Sequence, residues 1–225
     1  MKSRPILFSG PMVRAILDGR KSQTRRAVKP TVKGCTVGAY SEFSKVTEVV
    51  NRDADGDIVD APSIQCPYGA PGDELWVRET FASFDNVGQP MKPKDAAYVV
   101  MRDGTQVYRD GVIVPRLAEY APGVSDHIKW RRSTFMPRWA SRLTLVVKSV
   151  RVERLSLISG EDVVAEGFDL PHGVDESHVA RDRGNVSTRL RFDYIAAFRT
   201  LNKLAADADP LVWVIEFERK QGGAA

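Results

Sequence analysis

The chain has 225 residues, 43% hydrophobic and 28% charged, enough for one sizeable core and ordinary for a water-facing globular protein. No apolar run approaches the ~18 residues of a membrane span, and the apolar stretch near the N-terminus is too short for a signal peptide, so a cytoplasmic protein with no membrane partner is expected. The net charge of +4 is unevenly spread: residues 19–33 carry six cations and no acid, and residues 129–142 carry five and no acid. Acids collect in 51–60 and 161–176, and this asymmetry suits an anionic partner, nucleic acid first.

In chain order, residues 5–8 read as a short strand leading into a helix. Ser9 is its N-cap, Pro11 lies in its first turn, Met12, Ile16 and Leu17 form an apolar side, and Gly19 is its stop. Residues 20–26, Arg-Lys-Ser-Gln-Thr-Arg-Arg, contain no aliphatic side chain, which argues against a core strand; the stretch reads as a solvated loop or as a turn that brings Lys21 to Thr24, which an ideal strand would point to opposite faces. Residues 43–50 and 58–59 suggest a hairpin, with a turn at Asp53-Ala-Asp-Gly-Asp that lacks the Glu a calcium loop needs at its twelfth position. Strands are expected over 75–81, 96–101, 107–114, 143–155 and 212–217, the second and third around Asp-Gly turns. A helix over 159–167 starts at Ser159, with Asp162 three residues on, and stops at Gly167. The longest helix spans 188–205, with Leu190, Tyr194, Ala197, Phe198 and Leu201 along one face. Short strands and irregularly placed helices make an α+β chain, read as one domain with insertions at about 27–70 and 103–135.

Several short motifs recur in one order: Gly19-x-Lys21-x-x-Thr24-Arg25 after the first helix, Cys66-Pro-Tyr-Gly, Pro71-Gly-Asp-Glu-Leu-Trp-Val-Arg-Glu79, Ala165-Glu166-Gly167 and Val212-Trp-Val-Ile-Glu-Phe217. Together they resemble the ASCH domain of the PUA-like superfamily, in the longer form often encoded by bacteriophages and prophages. The resemblance implies a PUA-like mixed β-barrel with surrounding helices. It also implies an RNA, nucleoside or modified-base partner. In ASCH relatives that hydrolyse N4-acetylcytidine, a Lys, a Thr and a Glu act together, and the matching residues are Lys21, Thr24 and Glu166. Thr24 would attack the acyl carbonyl, Lys21 would take its proton, and Glu166 would serve the leaving amine. A ribonuclease at the same cleft and a non-catalytic RNA-binding module stay open beside this amidohydrolase reading. The two insertions depart from compact ASCH hydrolases.

Two further groups of residues suit a nucleic-acid or substrate surface. Arg20, Arg25 and Arg26, with Lys129, Arg131, Arg132 and Arg138, are interleaved with Trp130, Phe135 and Trp139, cations for phosphates and rings for bases. Trp76, Arg78 and Glu79 alternate along one strand; Trp76 suits the core, and at most one of Arg78 and Glu79 faces a cavity, where Glu79 would meet a base edge or Lys21. Cys35, Cys66, His172 and His178 lack the close spacing of a zinc site, and no phosphate-binding glycine loop or nucleophile elbow occurs, so neither metal nor cofactor is expected.

Overall fold

The N-terminal apolar residues find their partners far along the chain. In the computed structural model, Ser3–Leu7 (β1) runs parallel to Glu74–Arg78 (β5), with Ile6 opposite Val77. The structure describes residues 1–31, 33, 35–42, 45–60, 62–115, 128–168, 179 and 185–220. They divide into two compact units, one built from residues 1–18, 72–147 and 218–225, the other from 19–71 and 148–217.

In the first unit, helix α1 (Gly10–Leu17) follows β1 and carries Pro11 in its first turn. It buries Val13, Ala15 and Ile16 rather than the Met12 and Leu17 side. The chain after β5 folds into an antiparallel meander of Phe81–Phe84 (β6), Tyr98–Met101 (β7), Gln106–Tyr108 (β8) and Ile113–Val114 (β9). Gly104 and Gly111 take positive φ after Asp103 and Asp110, the two turns expected from the sequence. Phe81, Val99, Met101, Val107, Met136 and Ala140 form this unit's core beneath the meander. Leu145, at the start of the eleven-residue strand Thr144–Arg154 (β10), pairs antiparallel with Leu75.

In the second unit, the later part of β10 continues through Leu211–Arg219 (β11) to Gln23–Ala27 (β2), which runs antiparallel to β11 with Thr24 opposite Ile215. Residues 20–26 are therefore not a solvated loop: Gln23, Thr24 and Arg25 are buried strand residues. Thr36–Glu42 (β3) and Lys45–Arg52 (β4) make the hairpin, while Ile58 meets Arg52 only as an isolated bridge. Part of the expected 43–50 strand lies outside the described residues. The Asp53 carboxylate accepts from the N–H groups of Asp55 and Asp57, which makes a turn of that acidic stretch. Helix α2 (Gly160–Ala165) has the reciprocal capping box of Ser159 and Asp162, and α3 (Asn185–Asn202) packs Leu190, Tyr194 and Phe198 against Leu155, Ile158, Val163 and Val214. Leu201, expected on that face, is exposed one residue before α3 ends.

The architecture is α+β. Its described strands form separate sheets and no closed barrel: β1 and β2 each have a single strand neighbour, so both are edges. Where α2 approaches α3, Gly160 leaves no room for a side chain. A Cβ there would stand 2.2 Å from Ser187 Oγ and 3.0 Å from both Ser187 Cβ and Val179 Cγ1. Alanine favours helices over glycine by about 1 kcal/mol, yet Gly160→Ala is expected to lower the denaturant midpoint, since overpacking typically costs about 1–3 kcal/mol. Adding Ser187→Ala to that variant recovers part of the loss, and an unchanged midpoint in Gly160→Ala would refute the close approach.

Candidate functional site

The second unit buries a cluster of charges around β2. Lys21, just before the strand, forms an isolated β-bridge with Glu166, and Ser22 N–H donates to the Ala165 carbonyl at 2.9 Å. The capping box fixes where α2 begins, and that start places Glu166 at its C-cap, four residues after Asp162 and on the same side of the helix. Lys21 Nζ donates to the backbone carbonyls of Gln23 and Glu166 and to Glu166 Oε2, each at 2.7 Å. Lys21 is 3% exposed, Thr24 2% and Glu166 6%. Burial pushes the Lys21 ammonium down from its ordinary value, while Glu166 pulls it back and Arg26 and Arg25 add to the fall.

Arg25, on the strand itself, is the centre of the network. Its guanidinium donates to Gln23 Oε1, to Glu153 Oε1 at 2.5 Å and to Asp162 Oδ2 at 2.9 Å, and stands 3.6 Å from Glu166 Oε1. Gln23 in turn donates to Asp162. Arg151 on β10 joins the network through Glu153, Asp162 and Glu216, and Glu216 also accepts from Ser149 Oγ at 2.8 Å. Glu166 Oε1 is buried, and among the described residues no group stands at hydrogen-bond distance from it. The phenol of Tyr194 lies beside Glu166, and burial, with that carboxylate's charge, pushes its pKa up.

The structure brings Lys21 and Glu166 together and turns Arg25 inward. That residue holds carboxylates inside the fold and is not available to nucleic acid, because distant acids, invisible in its local sequence, neutralise it. Thr24 sits buried on β2. An open concavity of about 390 Å³ lies over the outer side of the same bridge, lined by exposed Arg20 and Ser22, Gly19, Glu161 and the apolar Val164, Ala165 and Val179. Arg26 is half-buried. Gln23, Ser149, Arg151, Glu153, Asp162, Tyr194 and Glu216 were not anticipated as site residues; of these only Asp162 carries a local signal, the capping box.

The remaining expected site residues belong to the first unit. Glu79 is buried and its partner is Arg142, which binds it with two hydrogen bonds, of 2.9 and 2.7 Å, and also reaches Asp103 and Thr105. Trp76 is core, with Arg78 over its ring at 4.5 Å and Arg138 at 5.5 Å. Arg131 is held by Ser83 Oγ and the Met91 carbonyl, and so serves the fold. Arg132 and Arg138 are exposed, and Trp139 is half-buried under Arg109. Cys35 and Cys66 are half-buried and not joined in a disulfide, and His172 and His178 lie outside the described residues.

Two substitutions separate the buried from the exposed part of the network. Arg25→Met strands Glu153 and Asp162 and is expected to cost about 3–5 kcal/mol in denaturant unfolding. Arg151→Gln, at a half-exposed side chain, costs about 1 kcal/mol at neutral pH. Burial pushes the Asp162 carboxyl up, but Gln23, Arg25, the Ser159 N–H and Arg151 outweigh it and hold it below 3.8. The Ser149 hydrogen bond and Arg151 hold Glu216 below 4.5 against partial burial. Both folded pKa values are depressed, so the stability they contribute is complete above the unfolded values and is lost as pH falls through the folded ones. The gap between wild type and Arg151→Gln therefore narrows on acidification below 4.5, and a gap that stays constant to pH 2 would exclude this linkage.

No family model matches the chain, and neither a curated protein nor a solved structure does.

Proposed function

We propose that this is an ASCH-type protein of PUA-like character that acts in the cytoplasm on a nucleoside, modified base or RNA, hydrolysing an acylated cytosine amine at Lys21, Thr24 and Glu166. The observation that supports it is the buried Lys21–Glu166 pair, which joins two residues that the motif resemblance names together and that lie 145 positions apart. Thr24 Oγ attacks the acyl carbonyl and its proton passes to Lys21; the C–N bond breaks, the amine leaves protonated, and water then releases the acyl group from Thr24. Lys21 accepts a proton only as the neutral amine, the form that burial favours. Glu166 Oε1, buried with the Arg25 guanidinium 3.6 Å away rather than at hydrogen-bond distance, suits an N–H of the substrate amine. With all three residues almost wholly buried, a substrate reaches them only when the surrounding chain opens.

One observation favours a second reading, a binding module without turnover. The three acceptors around Lys21 Nζ match its three protons, the arrangement of a structural cation.

Turnover of N4-acetylcytidine followed by HPLC decides between them. The hydrolase reading expects cytidine from wild type, with a rate that rises with pH along one ionisation below lysine's ordinary 10.5. Lys21→Ala should lower the rate by about 10²–10⁴-fold. Since that variant also leaves Glu166 buried and unpaired, Thr24→Val is the cleaner partner: it keeps the ion pair and removes only the hydroxyl. Cytidine production that Thr24→Val leaves intact, or none from folded wild type, rejects the mechanism.

A further inference from the structure

The motifs that carry the ASCH resemblance do not include residues 128–139, yet the structure gives this segment an arrangement the proposed hydrolysis does not use. Its backbone is pinned to the first unit's core. Arg131 bridges Phe81 in both directions, its N–H donating to the Phe81 carbonyl at 2.8 Å and its carbonyl accepting at 3.3 Å. Met136 is 1% exposed and its sulfur accepts from the Glu79 N–H. Between these anchors a 3₁₀ turn, Ser133–Phe135, closes with a 3.0 Å hydrogen bond from Phe135 N–H to the Arg132 carbonyl. The turn leaves the Phe135 ring 67% exposed.

A large apolar ring held outward on fixed backbone forgoes the burial that normally stabilises it. The charges around it are as informative. Arg132 and Arg138 flank Phe135 in sequence, both are exposed, and neither has a carboxylate partner among the described residues. Arg138 stacks over Trp76 and the exposed Arg102 stacks over Trp130 at 4.6 Å, so these guanidinium groups are oriented by rings without being neutralised. Indole stacking positions an arginine while leaving its N–H donors for another acceptor.

We propose that this segment is a docking surface for single-stranded nucleic acid, with a base stacked on Phe135 and backbone phosphates held by Arg132 and Arg138. A ring flanked by cations, in a stretch of sequence with no acid, matches the alternation of base and phosphate along a strand. A duplex keeps its bases stacked internally and offers Phe135 no face.

The test is fluorescence anisotropy with a labelled twelve-nucleotide thymidine strand, its duplex with adenosine, and vesicles of phosphatidylserine and phosphatidylcholine, using the full chain. The strand is expected to bind more tightly than the duplex. Phe135→Ala should weaken strand binding about tenfold, and R132A/R138A should flatten the dependence of log K on log salt by about 1.4. Circular dichroism checks that each variant keeps the wild-type fold; all three side chains are exposed. Equal affinity for strand and duplex, strand affinity unchanged in Phe135→Ala, or binding to the vesicles alone overturns the proposal. Strand binding and cytidine release are separate readouts on separate residues, so failure of either leaves the other standing.

Discussion

Arg25 has no solvent to hydrate its charge, and an isolated cation in that position would cost several kcal/mol. Its guanidinium is instead shared among Gln23 on its own strand, Glu153 on β10 and Asp162 on α2. Asp162 has a second task, since the same carboxylate receives the Ser159 N–H in the capping box that starts α2. One turn later the helix ends at Glu166, which binds Lys21. Strand, helix and ion pair thus form a closed ring of polar contacts: the position of Lys21 and Glu166 depends on where α2 starts, and α2 is tied to β2 through Arg25. An Arg suits this centre better than a Lys, because its planar fork serves several acceptors at once.

The first unit solves a similar problem with Arg142, which grips Glu79 with two hydrogen bonds and reaches Asp103 and Thr105 with its remaining donors. Its other arginines differ in kind. Arg102 and Arg138 rest on indole rings and keep their charge at the surface. Arg142 holds carboxylates inside the fold, whereas Arg102 and Arg138 are exposed on their rings and remain competent to meet an anion.

Local signals account for the parts of the fold visible in sequence. Ser159 with Asp162, the Asp-Gly turns at 103–104 and 110–111, and the alternation of Leu145 and Val147 are statements about near neighbours, and the structure has each of them. Residues 20–26 are misleading in sequence for the complementary reason. Polar composition reads as exposure unless the compensating charges are known, and those on Glu153, Asp162 and Glu166 come from far along the chain. Glu79 misleads likewise, since strand alternation says which side a carboxylate takes but not that Arg142 waits there. The Lys21–Glu166 pair was reached through motif resemblance alone; no periodicity connects the two positions.

The distance along the chain between β2 and its carboxylates also shapes how the protein is made. Glu153 and Asp162 follow Arg25 by 128 and 137 residues, so β2 leaves the ribosome long before either can neutralise it. During that interval its charges stay hydrated and repel a second copy of the same strand, which guards an edge that would otherwise invite pairing between nascent chains. Contacts of such long range form late, because loop closure precedes any gain from them. The residues that lock the strand at the end of folding are thereby the ones that keep it soluble at the beginning.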